Sequence, residues 1–94
     1  MVVAQAAKYV FNVGAAGSAE EIYKVVSVAL GRPCPAGPYG LVWELDNHPM
    51  PVEVTVVGLP LLRERLPTQA RFLEMALRQV AERHSSNGFV LHVA

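Results

Sequence analysis

Apolar residues alternate with polar ones most clearly in the stretch Pro51 to Gly58, which predicts a β-strand. Valines at every second position give one wholly apolar face, whereas Glu53, Thr55 and Val57 form a mixed face. The β-branched residues, the opening proline and the closing glycine favour an extended backbone over a helix. We therefore expect Val52 to Val57 to be a central strand that is covered mainly on one side.

Helical spacing of apolar residues predicts two long helices. The first starts at a capping box formed by Ser18 and Glu21 and runs to Leu30, where a glycine and a proline follow. The second and longest runs from Thr68 to His84, or begins at Pro67. Both have an apolar stripe that would face a core. The stripes are Ile22, Val25, Val26, Ala29 and Leu30 in the first helix, and Ala70, Leu73, Ala76 or Leu77, and Val80 or Ala81 in the second.

Two shorter segments, Lys8 to Val13 and Phe89 to Val93, also have the composition of strands. Leu59 to Leu66, which follows the central strand, is predicted to be a connector with a short helical turn. Strands separated by helices run parallel with right-handed crossovers. We therefore predict a single α/β domain, residues 1–94, with a three-stranded parallel sheet and two long helices on one face.

The segment before the central strand has an unusual composition. Gly31 to Gly40 contains three glycines and three prolines, which predict an ordered loop without regular structure. Leu41 to Asn47 is predicted to form one or two helical turns, with Leu41 and Leu45 on one face. The side chains predicted to point away from that face are Trp43, Glu44 and Asp46.

Composition excludes several classes of protein. The chain has 94 residues, of which 52% are hydrophobic and 17% charged, and this excludes a disordered chain. Its single cysteine, Cys34, cannot form an internal disulfide, so we expect the reducing cytoplasm. We expect neither a signal peptide nor a membrane span, because no apolar run is long enough.

Charge is balanced overall but unevenly distributed. A formal net charge of zero argues against direct binding of nucleic acid, which depends on neutralising phosphates. No lysine or arginine lies between Arg32 and Arg63, whereas Glu44, Asp46 and Glu53 all do. The region that holds the unusual segment is therefore predicted to be locally acidic.

An enzyme or a metal protein is the competing interpretation. Cys34 and His48 could form a nucleophilic pair, but no third residue that would orient them is apparent. With His84 and His92 they could form a metal set, yet none has the spacing of a metal-binding motif. The glycines after the first predicted strand lack the lysine of a phosphate-binding loop. We therefore expect no catalysis, no cofactor and no metal.

The order of these elements resembles the barstar family of intracellular ribonuclease inhibitors. The resemblance covers nearly the whole chain, and its short motifs are Tyr39-Gly40, Trp43-Glu44 and the strand led by Pro51. It implies a parallel sheet in the order 1-2-3, packed by helices. Between Tyr39-Gly40 and the strand the chain is shorter than typical members, and it is neutral where they are often acidic.

The resemblance also implies a binding site and a partner. The partner-binding residues would be Tyr39, Gly40, Trp43, Glu44 and Asp46, with the carboxylates imitating phosphates in a cationic nuclease site. The partner would be a cognate secreted-type ribonuclease or nuclease toxin. Trp43 has an ordinary alternative as a core aromatic, and Tyr39 as a residue that packs its loop. The alternative function is a non-inhibitory protein–protein interaction module that keeps the fold.

Overall fold

A computed structural model describes residues 7–32 and 37–94, which form three strands and four helices. In chain order the elements are β1 (Ala7–Asn12), α1 (Ala19–Leu30), α2 (Pro38–Asp46), β2 (Val52–Val57), α3 (Leu59–Arg65), α4 (Pro67–Arg83) and β3 (Phe89–Val93). The peptide bond between Met50 and Pro51 is cis. None of the described helices is both long enough and apolar enough to cross a lipid bilayer.

The three strands form one parallel sheet in the order β1-β2-β3, which confirms the predicted α/β architecture. β2 is the central strand, and its Val54 lies between Tyr9 of β1 and Leu91 of β3. The predicted alternation in β2 is also present. Val54 is fully buried, whereas its neighbours Glu53 and Thr55 are half-buried on the opposite face.

The core lies on the face of the sheet that carries the buried valines of β2. Buried residues of all four helices join this face in one hydrophobic cluster, to which α1 contributes Ile22 and α4 contributes Leu73 and Leu77. The opposite face of the sheet is more open, since Val10 is 58% and Val90 45% exposed. Helices therefore cover one side of the sheet, as the mixed face of β2 predicted.

The predicted cap of α1 is correct in part. Ser18 Oγ accepts from the Glu21 N–H at 3.2 Å, as in a capping box. The Glu21 carboxylate, however, accepts from the Gly17 N–H at 2.6 Å and not from that of Ser18. Gly31 ends the helix in the left-handed conformation, with φ of 71°, as expected of a C-terminal glycine.

Two segments contain more helix than the sequence predicted. The loop predicted for Gly31 to Gly40 ends earlier, because α2 begins at Pro38 and includes Tyr39 and Gly40. A proline is compatible with the first turn of a helix, where its missing N–H would have no partner. Residues 33–36 of that loop, which include Cys34, lie outside the described residues.

The predicted connector from Leu59 to Leu66 is α3, a seven-residue helix that buries Leu59 and Leu62. Gly58 precedes it with φ of 84°, and a Cβ atom there would lie 2.6 Å from the Cα of Gly14. The end of β2 and the turn after β1 therefore meet at two glycines, in a contact that leaves no room for a side chain at Gly58.

Candidate functional site on helix α2

Helix α2 is held to the rest of the protein by one side. Leu41 and Leu45 are fully buried, and the helix lies against α4. Residues four apart share a side of a helix. On the side away from the core, Tyr39 is 90% and Trp43 63% exposed, so the alternative of a core tryptophan is wrong. Two large aromatic side chains are thus displayed on a short, anchored helix.

Asp46 lies one helical turn after Trp43 and contacts an arginine and a histidine. Its carboxylate forms an ion pair with Arg83 and lies 2.9 Å from Nε2 of His84. The amide nitrogen of Asn87 is 3.1 Å from Nδ1 of His84. Since an amide nitrogen only donates, Nδ1 accepts in this arrangement and Nε2 donates to Asp46. This cluster joins the end of α2 to the end of α4.

Glu44 lies on a different flank of the helix. Each residue turns an α-helix by about 100°, so Glu44 is displaced by that angle from Trp43 towards the core. Its side chain is 12% exposed, and Oε2 lies 3.4 Å from Nη1 of Arg32, which follows the end of α1. Glu44 therefore forms a second ion pair, which joins α2 to the segment after α1.

The structure brings together some of the predicted site residues. Tyr39, Trp43 and Asp46 follow each other along one side of α2, because their spacings of four and three residues match the helical repeat. Glu44 is adjacent to this row but not part of it. Gly40, the remaining predicted site residue, is half-buried in the first turn of α2. We call Tyr39, Trp43, Asp46 and Glu44 the α2 surface.

An apolar groove, missed by the sequence analysis, borders the α2 surface. It has a volume of about 510 Å³ and runs between α2 and α4. Phe72 and Met75 of α4, which are 44% and 56% exposed, form one wall, and Pro38, Tyr39 and Val42 form the other. The signal in the sequence was that Phe72 and Met75 fall outside the inward stripe of α4.

The three histidines considered for catalysis or metal binding contact different partners, and Cys34 lies outside the described residues. Tyr9 Oη donates to Nε2 of His48 at 2.6 Å, and Nδ1 of His48 donates to the Pro49 carbonyl at 2.8 Å. His84 contacts Asp46, whereas His92 contacts Glu53 at 2.8 Å. Within residues 7–32 and 37–94, no three His, Cys, Asp or Glu side chains are grouped to hold a metal ion.

Comparison with known proteins identifies no family for this chain. Neither a protein-family model nor a curated protein matches it. The resemblance to the barstar family therefore remains a hypothesis, which depends on the order of the elements and on the short motifs of α2 and β2.

Proposed function

We propose that this chain is a barstar-like protein inhibitor that acts in the cytoplasm and blocks the active site of a ribonuclease or nuclease toxin. The observation that carries the proposal is the pair of exposed aromatic residues on α2, Tyr39 and Trp43. Asp46 continues the row of these aromatic residues along α2, and Glu44 lies beside the row. The proposed function is binding, without catalysis and without a cofactor or metal.

The aromatic pair supports a binding function on energetic grounds. An exposed tryptophan or tyrosine leaves a large apolar surface in water. Binding to a partner that buries this surface is favourable, because it removes the surface from water. Such residues are common among the few that dominate protein–protein binding energy. Because Leu41 and Leu45 anchor α2, the helix loses little conformational freedom on binding. A preformed helix with aromatic anchors is therefore suited to tight association.

The carboxylates support a nuclease as the partner, in a secondary role. A cationic site that binds phosphate also attracts a carboxylate, by charge-assisted hydrogen bonds from arginine and lysine. In the free protein Glu44 is already paired with Arg32, and Asp46 with Arg83. Because these two arginines are about half exposed, each ion pair contributes little to stability. Each carboxylate can therefore exchange its own arginine for a cation of the partner. We expect the aromatic residues to supply most of the affinity, and the carboxylates to supply selectivity and association rate.

The test is titration of guanyl-specific ribonucleases and nuclease toxins with the purified chain, with affinity measured by calorimetry. Trp43→Ala should weaken binding by about 2 kcal/mol or more, because it truncates a central anchor. Leu61→Ala is a matched control, since Leu61 is an apolar residue that is 55% exposed on α3. Absence of inhibition across the panel, or equal effects of the two variants, would contradict the proposal.

The contribution of charge is measured separately with Glu44→Gln and Asp46→Asn. Each should slow association at low salt and have a smaller effect at high salt, because ions screen long-range attraction. A salt dependence equal to that of the wild type would exclude a cationic partner site.

The alternative is a protein–protein interaction module that inhibits no nuclease. Two observations favour it. Both carboxylates are paired within the chain, and binding that is driven by charge would make no use of the apolar groove beside Tyr39. Under this alternative, Trp43→Ala and Phe72→Ala would both abolish copurification with a partner that has no nuclease activity.

A further inference from the structure

Strand β3 is an edge of the sheet that residues 7–32 and 37–94 form, and the hydrogen bonds among these residues show which of its backbone groups have no partner there. Ala94 N–H donates to Val56 at 2.8 Å, and Ala94 C=O accepts from Gly58 at 3.1 Å; Gly88 C=O accepts from Val52 at 3.2 Å. Bonds in a parallel ladder go to alternate residues of each strand. Even-numbered residues of β3 therefore face β2, and the N–H and C=O groups of its odd-numbered residues face away from the sheet.

The outward groups belong to Phe89, Leu91 and Val93. The Phe89 N–H donates to the carbonyl of His84 at 3.2 Å, within the turn that precedes the strand. Its carbonyl, and both backbone groups of Leu91 and Val93, lie along the open edge. Such a row of groups pairs readily with another strand unless charge, proline or a bulge prevents it. β3 has no lysine, proline or bulge, whereas the other open edge, β1, carries Lys8.

We propose that β3 pairs with β3 of a second copy of the chain, antiparallel about a twofold axis at Leu91. In this arrangement Leu91 exchanges both of its hydrogen bonds with Leu91 of the second copy. Val93 N–H donates to the Phe89 carbonyl across the axis, and symmetry repeats that bond. All outward groups of each edge except the Val93 carbonyl are thus paired, because the Phe89 N–H that would face this carbonyl already donates to His84. The two sheets become one sheet of six strands.

Helix α4 provides charge complementarity for the same axis. A crossover helix runs antiparallel to its strands, so α4 lies alongside β3 in the opposite direction. The two elements line a groove of about 460 Å³, formed by Arg78, Ala81, Glu82, Ser85, Leu91 and Val93. A twofold axis level with residue 80, next to the side chain of Ala81, places Arg78 opposite Glu82 of the second copy, and Glu82 opposite Arg78.

The two charges are available for this pairing. The Glu82 carboxylate has no ion pair within the part of the chain that the structure describes. Arg78 binds Glu74 at 2.8 Å but remains 60% exposed. Ala81 between them is small enough for two helices to approach. Self-complementary charge is the reason for assigning the edge to a second copy and not to an unrelated strand.

This inference is independent of the proposed nuclease inhibition, and its test uses the protein alone. Sedimentation equilibrium should show a reversible monomer–dimer equilibrium for the wild type. Glu82→Arg and Arg78→Glu should each weaken the dimer roughly tenfold, because like charges then meet twice across the axis. An equimolar mixture of the two variants should dimerise like the wild type, since opposite charges meet again. Glu64→Arg, on the exposed side of α3, is the matched control and should have no effect.

Two more variants keep the test decisive if a single charge reversal destabilises the fold. In the double variant Arg78→Glu/Glu82→Arg, each chain again carries one charge of each sign, so opposite charges meet across the axis. This variant should recover the dimer. Val93→Pro removes an outward N–H while leaving the ladder to β2 intact, and should weaken the dimer with little change in melting temperature. A wild type that stays monomeric at every concentration would overturn the proposal. The proposal would also be overturned if these changes left the dimer intact and Lys8→Glu abolished it. That result would place the interface at β1.

Discussion

Tyr9 and His48 form a contact between two distant parts of the chain. Their rings meet edge to face, with centroids 5.4 Å apart, and the tyrosine hydroxyl donates to the histidine. His48 also binds the carbonyl of Pro49. The histidine therefore joins the turn after α2 to the first strand, and holds the candidate site in a fixed position relative to the sheet.

We predict that His48→Ala lowers the free energy of unfolding by about 1 kcal/mol, because the half-buried Tyr9 hydroxyl loses its partner. Urea denaturation followed by circular dichroism measures this loss. His92→Ala serves as the control, because His92 is 52% exposed and its contact with Glu53 lies on the open face of the sheet. Its effect should stay within about 0.5 kcal/mol. Equal stabilities of the two variants would show that the Tyr9–His48 contact does not stabilise the fold.

At the scale of elements, Glu74 connects α3 to α4. Its carboxylate accepts from Arg63 at 2.5 Å and from Nη2 of Arg78 at 2.8 Å. The hydrogen bond from Arg63, followed by that from Arg78, holds the pKa of Glu74 below its usual value of 4.5, although desolvation opposes the shift. The charged carboxylate is thus favoured in the folded protein.

A lowered folded-state pKa fixes the sign of the pH dependence. Stabilisation by Glu74 is present above the unfolded-state pKa, near 4.5, and is lost as the pH falls through the lowered folded-state value. We predict that Glu74→Gln destabilises the protein by about 1 kcal/mol or less at neutral pH, since exposed ion pairs contribute little. The difference from wild type should vanish in acid. Denaturation at a series of pH values tests this, with Glu64→Gln as a control that should show neither effect.

The elements also show what the sequence could predict. β2, α1 and α4 have periodic apolar patterns that are long enough to identify a strand or a helix, and all three are present near the predicted bounds. α2 and α3 are short, carry a proline in the first turn after a glycine N-cap, and owe their stability to the burial of a few leucines by distant residues. The sequence therefore predicted only short helical turns in these two segments, and local propensity alone did not give the extent of either helix.

The candidate site was predictable in its aromatic part only. Trp43 follows from helical spacing, once Leu41 and Leu45 are assigned to the core. Tyr39 was predicted to lie in a loop and was selected by the resemblance, whereas it belongs to α2. The partners of the carboxylates could not be predicted, because Arg83 is distant from Asp46 in the chain and only the folded packing of α2 on α4 brings them together. The acidic character expected of this region is therefore partly neutralised by cations from other elements.

At the scale of the molecule, one hydrophobic cluster joins the sheet to all four helices. We predict a single cooperative unfolding transition, because no part of the described chain has a core of its own. Far-ultraviolet and near-ultraviolet circular dichroism should give the same midpoint, and the calorimetric enthalpy should equal the van't Hoff enthalpy. Two separate midpoints would show instead that α2 and the candidate site unfold independently of the sheet.

The contact between Gly14 and Gly58 bears on how distant relatives of this chain can be recognised. A side chain at Gly58 would collide with the backbone of Gly14 and would also adopt an unfavourable φ. The exposed side chains of α2 are not constrained in this way, whereas the crossing of the two glycines is imposed by the path of the main chain. A glycine directly after the valine-rich strand is therefore a better marker of common ancestry than any residue of the α2 surface.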